Sequence, residues 1–276
     1  MTCCFSSSPA SSSAVNIWTD TFTAFSGSTY PDYVNNGRWG DSIYRWSARS
    51  LPANGDKQYW VNDGNDFGGG TMGAMLTANG GWGSAPFLHV QSGSSLRLRA
   101  YPLTVSEANT YVFGYRYIAG ALVDCTPPLA ISGQNYGTWT IRFRFNSFGK
   151  GQHLAIWLLP DDSSWPPEID ILEVINGEST WHCNLHSPSG GDAMTDFTRP
   201  GNASDWYTAA FTLSPTLMTW KINGATVREQ SNMLTEKRYA MHITWEIGTN
   251  WTGDPDGTTP WPADFEIDFI TLDSLS

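Results

Sequence analysis

Positive charge is scarce in this sequence. Its 276 residues include 15 Lys and Arg against 26 Asp and Glu, so the formal net charge is −11 at pH 7. No run of basic residues is longer than two. Nucleic acids and anionic membrane surfaces attract clustered Lys and Arg. The composition therefore argues against nucleic-acid and membrane partners.

Long apolar stretches are also missing. No segment approaches the roughly 20 apolar residues that cross a bilayer as a helix. The first residues, Met1–Phe5, lead into a tract of Ser, Ala and Pro without the apolar core of a secretory signal. We therefore expect residues 1–15 to form a disordered Ser-rich leader.

Cysteine is too rare to build a disulfide framework. Two of the four cysteines lie in the leader, which leaves Cys125 and Cys183 as the one pair that the domain could form. Two scattered cysteines do not predict a disulfide. The histidines nearest Cys183, His182 and His186, would be roughly 13 Å apart on a strand, which is too far for a shared metal ion.

Aromatic and turn-forming residues, by contrast, are abundant. The chain has 14 Trp, 11 Tyr, 13 Phe and 27 Gly. Short runs such as 139–145 and 217–223 combine β-favouring residues, and Gly, Pro, Asn and Asp separate them. This pattern is typical of an all-β sandwich or barrel, which can hold this length in one domain. We expect residues 16–276 to form that single domain.

The most informative segment is Glu168–Glu173, with the sequence Glu-Ile-Asp-Ile-Leu-Glu. Alternation along a strand would place Glu168 and Asp170 on one face and Glu173 on the other. A one-residue β-bulge near Ile171 and Leu172 would bring Glu173 back to the first face. The segment then presents three carboxyl groups together.

Such an arrangement suits glycosidic bond cleavage with retention of configuration. Two carboxyl groups roughly 5 to 5.5 Å apart act there as nucleophile and general acid/base. A third acid between them can share a proton or hydrogen bond with the nucleophile. By spacing alone, an exposed acidic strand or a set of calcium ligands remains an alternative.

Several segments together resemble glycoside hydrolase family 16, which includes laminarinases, mixed-linkage glucanases and bacterial exopolysaccharide glycanases. The acidic strand and the Trp-Pro-Pro before it resemble the family's longer, bulged motif. The other matching segments are Tyr136-Gly137, Ala155–Pro160, Asn250–Gly253, Pro260–Ala263 and Phe265–Asp268.

The resemblance implies a fold and an activity. The fold would be a concanavalin A-like jelly-roll sandwich of two curved antiparallel sheets, with a substrate cleft on the concave face. The activity would be that of a retaining endo-β-glycanase for β-1,3 or mixed β-1,3/1,4 linkages. Glu168 would be the nucleophile, Asp170 its helper and Glu173 the general acid/base, with no cofactor required. A transglycosylase with the same acids and a non-catalytic lectin-like module remain alternatives.

Further residues are candidates for substrate binding. Sugar rings present flat C–H faces to aromatic side chains, and Trp165 and Trp251 are the best placed for this. Alternation puts Asn184 and His186 on one face of the strand that the resemblance places beside the acidic one. Arg142 is expected to orient a carboxylate or a pair of hydroxyls.

Two departures from the family pattern concern the substrate. His153 stands where laminarinases usually have an aromatic residue, and Glu246 follows Thr244 where the family commonly has Asn-x-Ala. We expect both side chains to lie in the cleft. They favour a branched or substituted β-glucan, or a bacterial exopolysaccharide, over plain laminarin.

A structural calcium ion and the location complete the expectations. Family members often hold calcium through a carboxylate of the last strand, a position that Asp268 matches, and Asp20 could assist. The substrate class implies an extracellular protein that acts as a monomer, either secreted or carried on a virion.

Overall fold

The computed structural model describes residues 13–21, 55–60, 89–92, 95–111, 114–123, 133–162, 164–190 and 193–275. Within these ranges the chain forms sixteen strands and one short helix. They are β1 (Asn16–Asp20), β2 (Gln58–Trp60), β3 (His89–Ser92), β4 (Ser95–Pro102), α1 (Val105–Tyr111), β5 (Tyr117–Ala119), β6 (Ala121–Val123), β7 (Gly137–Ser147), β8 (Gln152–Pro160), β9 (Glu168–Ile175), β10 (Thr180–His186), β11 (Thr195–Thr198), β12 (Tyr207–Leu213), β13 (Leu217–Ile222), β14 (Ala225–Ser231), β15 (Tyr239–Ile247) and β16 (Ala263–Asp273).

These strands build two sheets. In the described ranges, the larger sheet has ten strands in the order β14-β13-β12-β7-β16-β4-β5-β2, with β1 added on β16 and β3 on β4. The smaller has six strands in the order β11-β10-β9-β8-β15-β6. β2 and β5 pair in parallel, and the other pairings are antiparallel. The prediction of an all-β sandwich is confirmed.

The core lies between the two sheets and is rich in aromatic residues. Alternation on β7 turns Trp139 and Phe143 inward, and alternation on β10 does the same for Trp181, so that all three are fully buried. Phe143 contacts Trp181 across the core, with ring centroids 6.2 Å apart. Each large aromatic buries 150 to 250 Å², worth several kcal/mol at about 25 cal/mol per Å². This packing fixes the six-stranded sheet whose other face carries the site.

Arg142 needs a correction, because it lies on the larger sheet and away from the acidic strand. Its neighbours Ile141 and Phe143 are buried in the core, so alternation directs Arg142 to the outer face. There it pairs with Asp268 on β16, and its guanidinium carbon lies 4.7 Å from the ring centroid of Trp206. Arg142 therefore contributes to the surface of the opposite sheet.

Some predictions fall outside the described residues. Most of the leader and Cys125 belong to that group, whereas Cys183 is a free, fully buried thiol. In the ranges that the structure covers, no helix combines the length and apolar character needed to cross a bilayer.

Candidate active site

A β-bulge in β9 sets the geometry of the site. The consecutive β8 residues Ile156 and Trp157 lie opposite Leu172 and Asp170, so Ile171 has no partner. The pairing of β9 with β10 is irregular at the same place. The bulge predicted at Ile171 and Leu172 is therefore present, and it adds one residue to the strand.

The bulge brings the three acids to one side of the sheet. Ile169 and Leu172 point into the core and are fully buried, while Glu168, Asp170 and Glu173 project from the opposite face. Asp170 is the most enclosed, with 3% of its side chain exposed, against 20% for Glu168 and 13% for Glu173. The arrangement is an acidic row whose middle member is shielded from water.

Glu168 lies between an indole and an imidazole. Nε1 of Trp165 donates a hydrogen bond to its Oε2 at 2.8 Å, and Nε2 of His186 lies 3.7 Å from its Oε1. Burial raises the pKa of Glu168 to about 7, an effect that His186 and the Trp165 hydrogen bond oppose and the charge of Glu173 reinforces. The two aromatic neighbours thus favour the ionised carboxylate against the cost of burial.

The surroundings of Asp170 favour its protonated form. Burial raises its pKa well above the usual range, and the charges of Glu173 and Glu168 add to the effect. A hydrogen bond with Glu168 acts in the same direction. The main-chain oxygen of Asp170 accepts a hydrogen bond from Nε1 of Trp220 at 3.0 Å. A protonated Asp170 can therefore donate a hydrogen bond to the neighbouring Glu168 carboxylate.

Glu173 faces a buried histidine. Nε2 of His153 lies 3.3 Å from Oε1 of Glu173, and its Nδ1 lies 3.0 Å from Oε2 of Glu246. Both His153 and Glu246 are 5% exposed. Burial lowers the pKa of His153, but the charge of Glu246 and hydrogen bonds to both glutamates raise it to about 10. His153 and Glu246, the two residues that depart from the family pattern, are thus in contact with each other. His153 also contacts Glu173.

Two exposed tryptophans flank the acids. Trp165 is 63% exposed and lies 6.0 Å from the ring of His186. Trp251 is 40% exposed and lies 5.3 Å from the His153 ring and 4.9 Å from the His182 ring. Both positions suit the predicted stacking on sugar rings, which stays a prediction.

Asn184 also lies on the acid-bearing side, as alternation on β10 predicted. Its Nδ2 is 3.2 Å from Nε2 of His186, and its Oδ1 accepts a hydrogen bond from the main-chain nitrogen of Leu185 at 2.8 Å. Asn184 therefore contacts the imidazole of His186. Nε2 of that imidazole lies 3.5 Å from Oδ2 of Asp170. A direct contact of Asn184 with substrate stays a prediction.

Sequence reasoning left other polar residues of this face without a role. Trp157 donates from Nε1 to Oγ1 of Thr244 at 3.1 Å and stacks on His242 at 4.7 Å. His182 is held through Nδ1 by Oδ1 of Asp196 at 2.8 Å. The alternation of β8, which separates Trp157 from the buried Ile156, was the signal that could have placed Trp157 on this face.

Metal binding finds limited support. In the described part of the chain, one group of three possible ligands lies within 4.8 Å, and it consists of Glu168, Asp170 and His186, already members of the site. At the predicted calcium position, Asp268 is paired with the guanidinium of Arg142, which would repel a cation. The side chain of Asp20 lies outside the described residues. The calcium prediction for Asp268 therefore does not fit its surroundings.

Comparison with known proteins identifies distant relatives. No family model matches the sequence. The endo-1,3-1,4-beta-glycanase ExsH of Rhizobium meliloti (strain 1021) is 27% identical over 253 residues, a match that covers 87% of this chain and 48% of the relative. The chain thus spans about half the length of the curated relatives it matches.

Solved structures show the fold. The laminarinase catalytic domain from Thermotoga maritima MSB8 matches with a TM-score of 0.71 at 17% identity, covering 96% of this chain and 100% of that domain. SCLam, a non-specific endo-beta-1,3(4)-glucanase from family GH16, matches with a TM-score of 0.70 at 18% identity, covering 95% of this chain and 91% of that one. The chain therefore shares the jelly-roll fold of these glucanases, which confirms the fold that the resemblance implied.

Proposed function

We propose that this chain is a retaining endo-β-glycanase that hydrolyses β-1,3 or mixed β-1,3/1,4 glucosidic linkages. The observation that carries the proposal is the bulged strand, which presents Glu168, Asp170 and Glu173 on one face. The relative ExsH, described as an endo-1,3-1,4-beta-glycanase, supports the same class of reaction. A sugar-binding module would have no use for three mutually repelling acids.

In the proposed reaction, a carboxylate oxygen of Glu168 attacks the anomeric carbon while the bond to the leaving sugar breaks. Glu173 gives its proton to the departing oxygen. Water then attacks the glycosyl-enzyme, Glu173 accepts a proton from that water, and Glu168 is released. Protonated Asp170 donates a hydrogen bond to Glu168 and limits repulsion within the row. Glu173 and the attacking water exchange every proton, so the proposed reaction requires no cofactor.

The substrate and setting follow from the same reaction. We infer a polysaccharide substrate of the branched β-glucan or bacterial exopolysaccharide class, because His153 stands where laminarinases usually have an aromatic residue, so that aromatic platform is missing. A polymer of this kind is met outside the cell, where we place the protein. One chain carries all three acids, so a monomer suffices.

The first test is product analysis on a panel of lichenan, laminarin, xyloglucan and succinoglycan-type polymers. We expect release of reducing ends from at least one polymer, with fresh products in the β configuration when they are followed by ¹H NMR. Initial α products would contradict a retaining mechanism. Laminarin as the best substrate would overturn the preference for substituted glucans. New, longer oligosaccharides in place of hydrolysis products would favour the transglycosylase alternative.

The acid limb of the pH profile should report on Glu168. Because the nucleophile must be ionised and its pKa is raised to about 7, we expect the acid limb of kcat/KM to have its midpoint near pH 7. The limb of kcat/KM refers to the free enzyme. A limb centred near pH 4, typical of an unperturbed glutamate, would contradict the burial-driven shift.

Trp165→Phe provides the matched variant. It keeps an aromatic ring but removes the hydrogen bond to Glu168, which lowers the pKa of that carboxyl. We expect the acid limb to move upward by about one pH unit, the equivalent of a hydrogen bond to a charged group. An unchanged midpoint would show that this hydrogen bond does not control the ionisation of Glu168.

A further inference from the structure

We infer that His153 and Glu246 form a positioning pair for Glu173, in which a charged imidazole bridges two carboxyl groups and acts on the proposed reaction through Glu173 alone. The inference rests on the proposed function for its kinetic meaning. It gives the two departures from the family pattern one shared role, in place of the substrate contacts first predicted for them.

The geometry of the pair carries the inference. β8 lies between β9 and β15, and Glu246 is directly opposite His153 in the β8–β15 register. Both imidazole nitrogens face carboxylates: Nδ1 is within hydrogen-bonding distance of Oε2 of Glu246 at 3.0 Å, and Nε2 lies at ion-pair distance, 3.3 Å, from Oε1 of Glu173. A histidine with a carboxylate at each nitrogen donates from both when it is protonated. His153 therefore reaches from the buried Glu246 to the acid row.

Burial explains why the two residues require each other. A buried carboxylate without a partner costs several kcal/mol, and Glu246 has His153 as its charged neighbour, with a weaker contact from Oγ1 of Thr244 at 3.4 Å. The charge of Glu246 in turn supports the imidazolium, whose pKa is raised to about 10 despite its burial. Trp251 packs beside the pair, with its ring centroid 5.3 Å from that of His153.

The contact also divides the work of the two Glu173 oxygens. His153 approaches Oε1, which leaves Oε2 to carry the proton toward the leaving sugar. When that proton moves to the glycosidic oxygen, Glu173 becomes a carboxylate, and the imidazolium stabilises it without giving up its own proton. His182 lies opposite Glu173 on β10, and its Nδ1 is 2.8 Å from Oδ1 of Asp196. The charged partner of Glu173 in this arrangement is therefore His153.

Titration of His153 by NMR tests the pair without any substrate. The chain has five histidines, and the Cε1–H signal that disappears in His153→Gln identifies the relevant one. In the wild type we expect this signal to report a protonated ring past pH 9. We expect Glu246→Gln and Glu173→Gln each to lower the midpoint by at least about one unit, the equivalent of one charge-assisted contact. A midpoint near 6.5, or no response to Glu173→Gln, would overturn the inference.

Leaving-group dependence tests the action through Glu173. A dinitrophenolate leaves without protonation. A defect confined to acid catalysis therefore slows the cleavage of lichenan but not the cleavage of 2,4-dinitrophenyl β-laminaribioside. For Glu246→Gln and for His153→Gln we expect a loss of about 10- to 100-fold in kcat/KM on lichenan, the scale of a misplaced catalytic group. On the aryl glycoside we expect less than about a threefold change in kcat/KM, which covers formation of the glycosyl-enzyme but not the base-assisted second step. Equal losses on both substrates would indicate general damage and contradict the inference.

Controls separate the possible failures. Glu229→Gln removes an exposed carboxylate from β14 in the opposite sheet and should change neither readout. The double variant His153→Gln/Glu246→Gln should be no slower than the worse single variant, because both act at one point; additive losses would contradict the pair. If the wild type cleaves neither substrate, the proposed function fails, and the NMR titration still decides whether His153 bridges Glu173 and Glu246.

Discussion

Replacing Glu168 with Gln is expected to lower kcat on β-glucan about 10⁴-fold or more, because an amide cannot form the glycosyl-enzyme. The fold should survive. Gln can still accept the hydrogen bond that Nε1 of Trp165 donates at 2.8 Å. Burial opposes the charge of Glu168, as its raised pKa shows, so a neutral amide should leave the thermal midpoint unchanged or higher. Activity and thermal unfolding are measured side by side.

A second variant distinguishes loss of the nucleophile from loss of the acid. Glu168→Gly opens space on the nucleophile side, and added azide should restore turnover of an aryl β-glycoside with an α-glycosyl azide as product. Glu173→Gly should give the β-glycosyl azide, because the glycosyl-enzyme still forms. The reverse pattern of products would exchange the two roles. A Glu168→Gln loss as small as that of Glu229→Gln would remove Glu168 from the chemistry altogether.

Trp220→Ala is expected to cost about 3 to 5 kcal/mol in the free energy of unfolding, the usual range for a large aromatic removed from a core. Trp220 lies on β13 of the larger sheet, is 1% exposed and packs 4.7 Å from Phe211. Its indole nitrogen crosses the core to the main-chain oxygen of Asp170 at 3.0 Å. Urea denaturation measures the loss.

Trp220→Phe isolates the hydrogen bond from the packing. It keeps most of the ring but leaves the oxygen of Asp170 unpaired, for which we expect a loss of about 1 to 3 kcal/mol. Trp251→Phe, at a position 40% exposed, should stay within about 0.5 kcal/mol of the wild type. If Trp220→Phe is as stable as this control, the hydrogen bond does not anchor the acidic strand to the opposite sheet.

The geometry of the acidic strand could be predicted from sequence because it depends only on the spacing of residues within that strand. The spacing of Glu168, Asp170 and Glu173 has one simple solution that puts all three on a face, and that solution is the observed bulge. Alternation likewise predicted which residues of β10 point inward, and Trp181 and Cys183 are fully buried as expected. Period-two patterns assign faces whenever one face is apolar.

Predictions that required knowledge of the neighbouring strand were less successful. Alternation placed Arg142 on the face of β7 opposite its apolar neighbours, but it could not say which sheet the strand joins or which face looks toward the site. The contact of His153 with Glu246 joins residues 93 positions apart, and it depends on the register between β8 and β15. The sequence pattern of β8 and that of β15 do not specify how the two strands are aligned. The same is true of Trp220 and Asp170, which come from opposite sheets.

The bulge in β9 also affects how this strand can change length during evolution. Removing a residue from a regular strand turns every following side chain to the other side of the sheet. Ile171 has no partner on β8, and a strand without it would alternate as Glu-Ile-Asp-Leu-Glu and present the same three acids on the same face. A single codon can therefore be gained or lost here without dismantling the acidic row, so β9 is a point where related genes can differ in length and keep one chemistry.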